Sequence, residues 1–338
     1  MAMTIYDISK KAGVSIATVS RVLNDSENVR PSTRKKVMDV IDKYDYTPNA
    51  FARGMGLHSL KTIGILCADS SDLFLAKAVY FLEQELQANG YESLLCCTGY
   101  NPDIKKNYLN LILSKKVDSI ILVGSHFIGS TEDENQYIKD VSTQVPIMLL
   151  NASFDHPNVY STLCDDYGTM FEAATETIQS GITDILYLYD SKSYSGLKKL
   201  HGFCDAMKEH NIPGFEKLIH FYDGNIEHLD EVANFVAHIA KKGTPFHAIM
   251  TSDDSLAIGS IKYAQKKGIR IPEELSVMGY NNSMLTNCCT PELTSVDNRL
   301  ETQTHQLVQT LLGVLAGEEM PKKSIFSGKI IKRGTTLF

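Results

Sequence analysis

No apolar run in this 338-residue chain approaches the roughly 20 residues that a membrane-spanning helix needs. The N-terminal segment MAMTIYDISKK also lacks the apolar core of a secretory signal. No pair of cysteines has CxxC spacing, and no Cys/His cluster has the spacing of a zinc site. We therefore expect a cytoplasmic, nucleoid-associated protein that carries neither a metal nor a cofactor.

Motifs of enzymes are missing as well. There is no nucleophile elbow and no metal motif, and GSHFIGS lacks the lysine of a phosphate loop. The seven cysteines are odd in number and include two adjacent pairs, which are poorly placed for structural disulfides. Most of them are expected to be small core residues at strand ends. The chain is not expected to be an enzyme.

Residues 4–55 have the pattern of a compact helix-turn-helix domain. Apolar residues recur at steps of three and four in the first helix, which indicates one buried face: Ile5, Ile8 and Ala12. Gly13 follows where a helix end favours positive φ, and Ser15 can cap a second helix. The apolar side of that second helix comprises Val19, Val22 and Leu23.

The opposite side of the second helix is the candidate DNA-reading face. It carries Ile16, Ala17, Ser20, Arg21 and Asn24. A recognition helix presents its N-terminal half to the major groove in this way. A third helix is predicted to start at Pro31, with its apolar positions at Val37, Val40 and Ile41 and an exposed side at Arg34, Lys35 and Lys36.

Positive charge is concentrated in the same part of the chain. Residues 1–60 contain nine Lys/Arg and six Asp/Glu, whereas the remainder contains 24 and 34, for a net charge of −7 overall. A small basic domain on an acidic chain favours contact with phosphates over a purely structural helical bundle.

From residue 62 the chain alternates short apolar runs with amphipathic helical patterns. Strands are predicted at 62–68, 92–97, 118–124, 146–151, 184–190, 217–223, 247–252 and 275–280. Helices are predicted between them at 73–89, 104–115, 132–143, 168–180, 196–210, 228–242 and 254–267. Such alternation indicates parallel sheets with helices on both faces. The second set begins near residue 160, so we predict a small all-α domain followed by an α/β body of two similar, Rossmann-like parallel-sheet subdomains.

Ligands of open parallel sheets bind beyond the carboxyl ends of the strands. The loops expected there are 69–74, 124–127, 190–199, 223–226, 252–254 and 280–282. Two subdomains that face each other across these loops would form a cleft for a small polar ligand. Because the loops contain several carboxylates, a sugar-acting hydrolase is one alternative function. A solute-binding protein is another, since it would have the same architecture.

Four segments resemble the lactose-repressor/galactose-repressor (LacI) family of bacterial transcription regulators, over nearly the whole chain. They are TIYDISKKAGVSIATVSRVLN, VRPSTRKKVMDVIDKYDYTPNAFARGM, SDDSLAIGSIKYAQKKGIRIPEELSVMGYNN and GKIIKRGTT. The first 60 residues are particularly similar to the catabolite control protein A branch. The resemblance implies a sequence-specific DNA-binding regulator, expected to be a repressor, whose operator affinity is switched by a bound ligand.

The resemblance also assigns residues to DNA. It implies that Ile16, Ala17 and Arg21 meet base edges, while Ser15, Thr18, Ser20 and Asn24 lie nearer the backbone. The segment 48–56 resembles a hinge helix that forms only on operator, in which Met55 would wedge into a base step from the minor groove. A flexible linker is the alternative for this segment. The complete set of expected DNA contacts is Thr4, Ser15, Ile16, Ala17, Thr18, Ser20, Arg21, Asn24, Asn49, Ala52, Arg53 and Met55.

The expected ligand site departs from the family pattern at three positions. Lys199 stands where relatives carry Arg, Asn281 where they carry Asp, and Asp253 where they carry Asn. We expect a sugar or polyol, with a sugar phosphate or a nucleobase as alternatives. The ligand-binding residues are expected to be Asp69, Asp72, Phe74, Ser125, Phe127, Tyr194, Lys199, Asn225, Asp253 and Asn281.

Domain boundaries and partners follow from the same patterns. The headpiece is predicted at 1–47, the hinge and linker at 48–61, and the effector-binding and dimerisation domain at 62–338. The N-subdomain is expected at about 62–160 plus 291–322, and the C-subdomain at about 161–290 plus 323–338. A pseudo-palindromic operator requires two headpieces, so a homodimer is expected. A phosphocarrier protein as co-repressor is implied only by the headpiece similarity.

Overall fold

The computed structural model describes residues 3–23, 26, 28–46 and 59–337. Contacts between Cα atoms divide the chain into an N-terminal unit, residues 1–62 with 116–118, and a body, residues 63–115 with 119–338. The N-terminal unit is helical and the body contains two mainly parallel sheets, so the predicted fold class is confirmed. None of the helices in these described ranges is long and apolar enough to cross a membrane.

The N-terminal unit folds around a small apolar core. Its described helices are α1 (Ile5–Ala12), α2 (Ile16–Leu23) and α3 (Pro31–Lys43). Thr4 and Asp7 form a reciprocal capping box at the start of α1, and Gly13 ends that helix at φ 61°, as its position predicts. The buried core consists of Ile8, Ala12, Val19, Val22, Val37, Ile41 and Tyr46.

One residue of α3 is placed differently from the prediction. Lys35 and Lys36 are exposed, but Arg34 is half-buried. Its Nη2 donates a hydrogen bond to the carbonyl oxygen of Ser26 at 2.7 Å. The Arg34 guanidinium therefore ties the segment between α2 and α3 to the third helix, because a loop carbonyl needs a partner that the helices do not supply.

The first sheet of the body lies at the centre of the N-subdomain. It contains β1 (Thr62–Cys67), β2 (Glu92–Cys97), β3 (Ser119–Val123), β4 (Ile147–Leu150), β5 (Val159–Cys164) and β11 (Lys323–Phe326), in the order β11-β5-β4-β3-β1-β2. The pairs β1/β3, β3/β4, β4/β5 and β5/β11 are parallel. Its connecting helices are α4 (Leu73–Ala88), α5 (Pro102–Ser114) and α6 (Gln136–Ser142).

The second sheet forms the C-subdomain. It contains β6 (Ile185–Tyr189), β7 (Ile219–Phe221), β8 (Ala248–Thr251), β9 (Ser276–Tyr280), β10 (Thr294–Asp297) and β12 (Lys329–Ile331), in the order β12-β10-β9-β8-β6-β7. Only the pairing of β12 with β10 is antiparallel among the described strands of this sheet. Its helices are α7 (Asp166–Gln179), α8 (Tyr194–Glu209), α9 (Leu229–Lys241) and α10 (Asp254–Lys267). Helix α11 (Leu300–Leu315) returns to pack on the first sheet.

The chain changes sheets at points that differ from the predicted subdomain boundaries. All of β5 belongs to the first sheet, so the first change follows residue 164 rather than 160. Strand β10 belongs to the second sheet and β11 to the first, whereas the pattern assigned 291–322 to the N-subdomain and 323–338 to the C-subdomain. Hydrophobic patterns locate strands, but backbone pairing between distant segments decides which sheet a strand joins.

Close contact between α7 and α8 provides a test of this packing. A Cβ atom at Gly202 would lie 2.3 Å from the carbonyl oxygen of Tyr167 and 3.1 Å from the amide nitrogen of Phe171. Since backbone atoms cannot move aside as side chains do, Gly202→Ala should force the helices apart and lower the free energy of unfolding by about 1 kcal/mol or more. His201→Ala, at an exposed position of the same helix, should change it by about 0.5 kcal/mol or less. Urea denaturation of both variants measures the difference, and equal midpoints would contradict the close packing.

Candidate functional sites: a recognition helix and an acidic cleft

Helix α2 buries one face and exposes the other. Its start is capped as predicted, because Ser15 Oγ accepts a hydrogen bond from the amide of Thr18 at 3.1 Å. Val19 and Val22 are buried in the core of the unit. The exposed residues of the predicted reading face are Ile16, Ala17 and Arg21. The helix therefore presents one guanidinium and two apolar side chains to solvent, a combination that can donate to guanine and contact thymine methyl groups.

The other predicted DNA contacts among the described residues are either half-buried or engaged in helix caps. Thr18 and Ser20 are half-buried beside this face. The hydroxyl of Thr4 donates to Asp7 Oδ2 at 2.6 Å, so it is already engaged in the cap of α1. Five predicted contacts lie outside the described residues: Asn24, Asn49, Ala52, Arg53 and Met55.

A cleft between the two subdomains of the body opens at the carboxyl ends of their strands. Its inner chamber has a volume of about 90 Å³ and is lined from the first subdomain by Asp72, Phe74, Tyr100, Ser125, His126 and Asn151, among others. From the second subdomain the chamber receives Asp190, Ser193, Lys199, Ser252, Asp253 and Asn281. An adjoining outer vestibule of about 710 Å³ shares Asp72, Tyr100, His126, Asp190 and Asp253 with the chamber. The two spaces form one continuous site for a small molecule.

Eight of the ten predicted ligand residues line this cleft. Asp69 and Asn225 face the vestibule, whereas the others line the chamber or both spaces: Asp72, Phe74, Ser125, Lys199, Asp253 and Asn281. Phe127 lines neither space, because it is buried in the protein interior with 1% of its surface exposed. Tyr194 also lines neither, and it is half-buried at the start of α8.

Sequence reasoning missed two loops of the site. Tyr100 follows β2 and Asn151 follows β4, and both line the inner chamber. Ligands bind beyond the carboxyl ends of parallel strands, and this rule applies to the loops after β2 and β4 as it does to the others. The predicted strands therefore already indicated these two loops. His126 lies inside a predicted loop but is not among the predicted ligand residues. Its ring packs edge-on against Tyr100, with centroids 4.8 Å apart.

Three carboxyl groups converge on the inner chamber. Asp72 caps α4 by accepting from the Leu75 amide at 2.8 Å, and Asp190 Oδ1 accepts from the Ser252 hydroxyl at 2.7 Å. Burial, followed by repulsion from Asp190 and Asp254, raises the pKa of Asp253 to about 7. Burial also raises the pKa of Asp72. The site is therefore rich in hydrogen-bond acceptors.

Among the described residues that line the inner chamber, Lys199 is the one lysine, and no arginine is present. Only 8% of its surface is exposed. Its Nζ donates to the carbonyl oxygen of Ser252 at 2.9 Å and lies 4.1 Å from the centre of the Tyr280 ring. A cation–π contact and a backbone acceptor thus hold the ammonium group at the chamber wall.

The carboxylate and amide that differ from the family pattern bond to each other. Asn281 Nδ2 donates to Asp253 Oδ2 at 2.9 Å, and Asn298 Nδ2 donates to Asn281 Oδ1 at 2.9 Å. Relative to the family pattern, position 253 has a carboxylate in place of an amide, and position 281 has an amide in place of a carboxylate. The pair therefore still contains one donor and one acceptor, at exchanged positions. The polarity of the chamber wall is rearranged and not abolished.

The half-buried carboxyl group of Asp253 predicts a dependence of stability on pH. Its pKa of about 7 in the folded state exceeds the unfolded value near 3.9, so its contribution is fully present below that lower value and is lost as pH rises through about 7. We therefore expect the stability of Asp253→Asn relative to the parent protein to increase from pH 5 to pH 8. Denaturation curves of both proteins at each pH measure this change. Asp155→Asn at an exposed position is the control, and an equal pH dependence in all three would contradict the assignment.

Comparison with known proteins finds relatives for both the N-terminal unit and the body. Residues 4–49 match bacterial regulatory proteins of the lacI family, and residues 174–336 match a periplasmic binding protein-like domain. An HTH-type transcriptional regulator of Lachnoclostridium phytofermentans is 50% identical over 336 residues, which cover 99% of this chain and 100% of that protein. Catabolite control protein A of Priestia megaterium is 32% identical and covers 88% of this chain and 87% of its own length.

A solved structure shares the whole fold. The crystal structure of the lac repressor dimer bound to operator and the anti-inducer ONPF matches with a TM-score of 0.89 at 20% identity, over 100% of both chains. The sequence relatives are transcriptional regulators and not enzymes. Their near-complete coverage confirms the family that the sequence motifs indicate. The chain belongs to the lactose-repressor/galactose-repressor (LacI) family of bacterial transcriptional regulators and is a DNA-binding regulator.

Proposed function

We propose that this regulator is a repressor whose operator affinity is switched by a sugar or polyol bound in the cleft of the body. The observation that carries the proposal is the cleft itself, lined at once by carboxylate, amide, hydroxyl and ammonium groups from both subdomains. Such a lining can hold a ligand with many hydroxyl groups, each of which donates and accepts.

The charge of the cleft favours a neutral ligand over a phosphorylated one. Asp72, Asp190 and Asp253 face the chamber, and the vestibule adds Asp69, Asp223 and Glu227. A phosphate group would be repelled by these side chains, whereas a sugar hydroxyl can donate to them. Aromatic side chains in the vestibule offer apolar faces for a sugar ring: Tyr100, Phe221 and Tyr222.

A direct hydrogen bond joins the two subdomains across the cleft. Ser125 lies two residues beyond the end of β3, and its Oγ donates to Oγ of Ser193, the residue that caps α8, at 2.8 Å. A ligand hydroxyl placed between them would replace this bond and change the angle between the subdomains. We propose that this change in angle alters operator affinity, since a ligand shifts an equilibrium only by binding its two states differently.

Dimerisation is part of the proposal. A single helix α2 reads only one half-site, so a pseudo-palindromic operator requires a homodimer with two-fold symmetry. Since regulation of this kind acts on the chromosome, we also propose that the protein lies in the cytoplasm. Sedimentation of the purified protein should give a dimer, and a monomer at micromolar concentration that still binds operator would contradict this part.

A ligand screen tests the effector directly. We expect a neutral sugar or polyol, and not its phosphorylated form, to raise the thermal stability of the protein, because ligand at 100 times its dissociation constant adds about 2.7 kcal/mol. Asp190→Asn should weaken this response, whereas the exposed Asp155→Asn should leave it unchanged. Operator binding measured with and without the ligand then separates induction from co-repression. Stabilisation by sugar phosphates alone would overturn the neutral-ligand proposal, and no response to any small molecule would favour a protein co-repressor.

A further inference from the structure

Two cysteine sulfurs meet where β1 and β2 end. Sγ of Cys67 and Sγ of Cys97 lie 3.8 Å apart, on neighbouring strands of the first sheet. Cys67 is buried in the apolar core, whereas Cys97 is exposed. Successive side chains of a strand point to opposite faces, so the adjacent Cys96 is directed away from this contact. The two sulfurs that touch are therefore not those adjacent in the sequence.

We propose that Cys67 and Cys97 form an oxidisable dithiol that closes reversibly into a disulfide between the two strands. A disulfide requires its sulfurs about 2.05 Å apart, and strands that pair in a sheet lie about 4.8 Å apart, which suits the Cα spacing of such a bond. Closing the bond thus requires a small local approach of two side chains that are already in contact. This inference does not depend on which ligand occupies the cleft.

The chemistry assigns a different role to each thiol. Hydrogen peroxide oxidises the exposed Cys97 thiol to a sulfenic acid and is reduced to water. The Cys67 sulfur then attacks the Cys97 sulfur, the S–O bond breaks, and the Cys67 thiol proton leaves with the hydroxide as a second water. Cys67 is buried, so peroxide reaches the exposed Cys97 first and Cys67 serves as the resolving thiol. A small-molecule thiol restores both groups by disulfide exchange.

The dithiol lies beside the ligand cleft. Asp69 follows Cys67 by two residues and Tyr100 follows Cys97 by three, and both line the outer vestibule. The backbone between them is also joined, because the Thr98 amide donates to the carbonyl oxygen of Cys67 at 2.9 Å. A disulfide at this point fixes the spacing of the two vestibule loops, so oxidation acts on the edge of the cleft.

Peptide mapping tests the proposal on the full-length protein. After mild peroxide treatment and alkylation of free thiols, trypsin should release residues 62–77 linked to residues 78–105, lighter by two hydrogen atoms than the sum of the free peptides. A reductant added before digestion should remove the link. The Cys97→Ser and Cys67→Ala variants should both lose it. Both are assayed at a temperature where their circular dichroism matches that of the parent protein.

The matched control is Cys96→Ser, which removes the neighbouring thiol on the same peptide. This variant should keep the full yield of linked peptide, because its sulfur does not take part. Loss of the link in Cys96→Ser, or its persistence in Cys97→Ser, would overturn the pairing. A disulfide-linked dimer on a non-reducing gel, without the internal link, would instead place Cys97 at an interface between two copies and would also overturn it.

Discussion

Arg21→Ala should weaken operator binding by about 1–3 kcal/mol, which is a factor of about 5 to 150. Arg21 is exposed on α2, on the side opposite the buried Val19 and Val22. Its planar fork can donate two hydrogen bonds to the N7 and O6 atoms of guanine. We expect the loss to be large on the operator and small on operators that carry another base at that position. Titrations of a panel of single-base variants at one fixed salt concentration measure both affinities.

Two controls separate base reading from simple charge. Arg270→Ala removes an exposed arginine of the body that pairs with Glu274 at 2.9 Å, and it should leave operator affinity unchanged. Lys36→Ala removes an exposed charge from α3 and should weaken all DNA sequences alike if it affects binding. An equal loss on every sequence in Arg21→Ala would reassign this arginine to a phosphate contact.

Lys199→Met should cost both stability and ligand binding. Burial raises the pKa of Asp166, and the charge of the Lys199 ammonium at the wall of the inner chamber opposes this shift. Asp166 also accepts from Tyr280 and Ser195 at 2.6 and 2.5 Å, and these donors remain in the variant. The variant leaves the buried carbonyl oxygen of Ser252 without its donor, so we expect a loss of about 1–3 kcal/mol. Urea denaturation measures this loss.

The neighbouring lysine supplies a matched control. Lys198→Met makes the same chemical change one residue earlier, at an exposed position of α8, and should alter stability by about 0.5 kcal/mol or less. Lys199→Arg keeps the positive charge and should retain most of the stability. Ligand response is compared at a temperature where all three variants are folded. If Lys199→Met were as stable as Lys198→Met, the contacts of the ammonium with the Ser252 carbonyl and the Tyr280 ring would contribute nothing to stability.

Much of the fold follows from local pattern. The starts and ends of the helices are encoded by single residues, such as Gly13 in the left-handed conformation and Pro31 in the first turn of α3. Strands that are buried on both faces appear as short apolar runs, and β3 and β4 are buried throughout. Most of the cleft was predicted for the same reason, because the loops after such strands lie at one edge of the sheet.

Pairings between distant residues could not be predicted in this way. The hydrogen bond from Asn281 to Asp253 and the contact of Cys67 with Cys97 depend on which strands are neighbours and how far each side chain reaches. The burial of Phe127 also has no signature in its loop, because an aromatic residue after a strand can face either the cleft or the core. The side chains packed around it make that choice.

The sequence by itself determined the helix-turn-helix headpiece and the two-sheet body, because periodicity and end signals act over a few residues, and its motifs carried the resemblance to the family. Only the tertiary structure decided where the chain changes sheets, which polar groups meet in the chamber, and which two of the cysteine sulfurs touch. These features depend on backbone pairing and burial between segments far apart in the chain. The interaction energies of these contacts depend on the distance between the groups and on the exclusion of solvent. No local pattern of residues specifies either quantity.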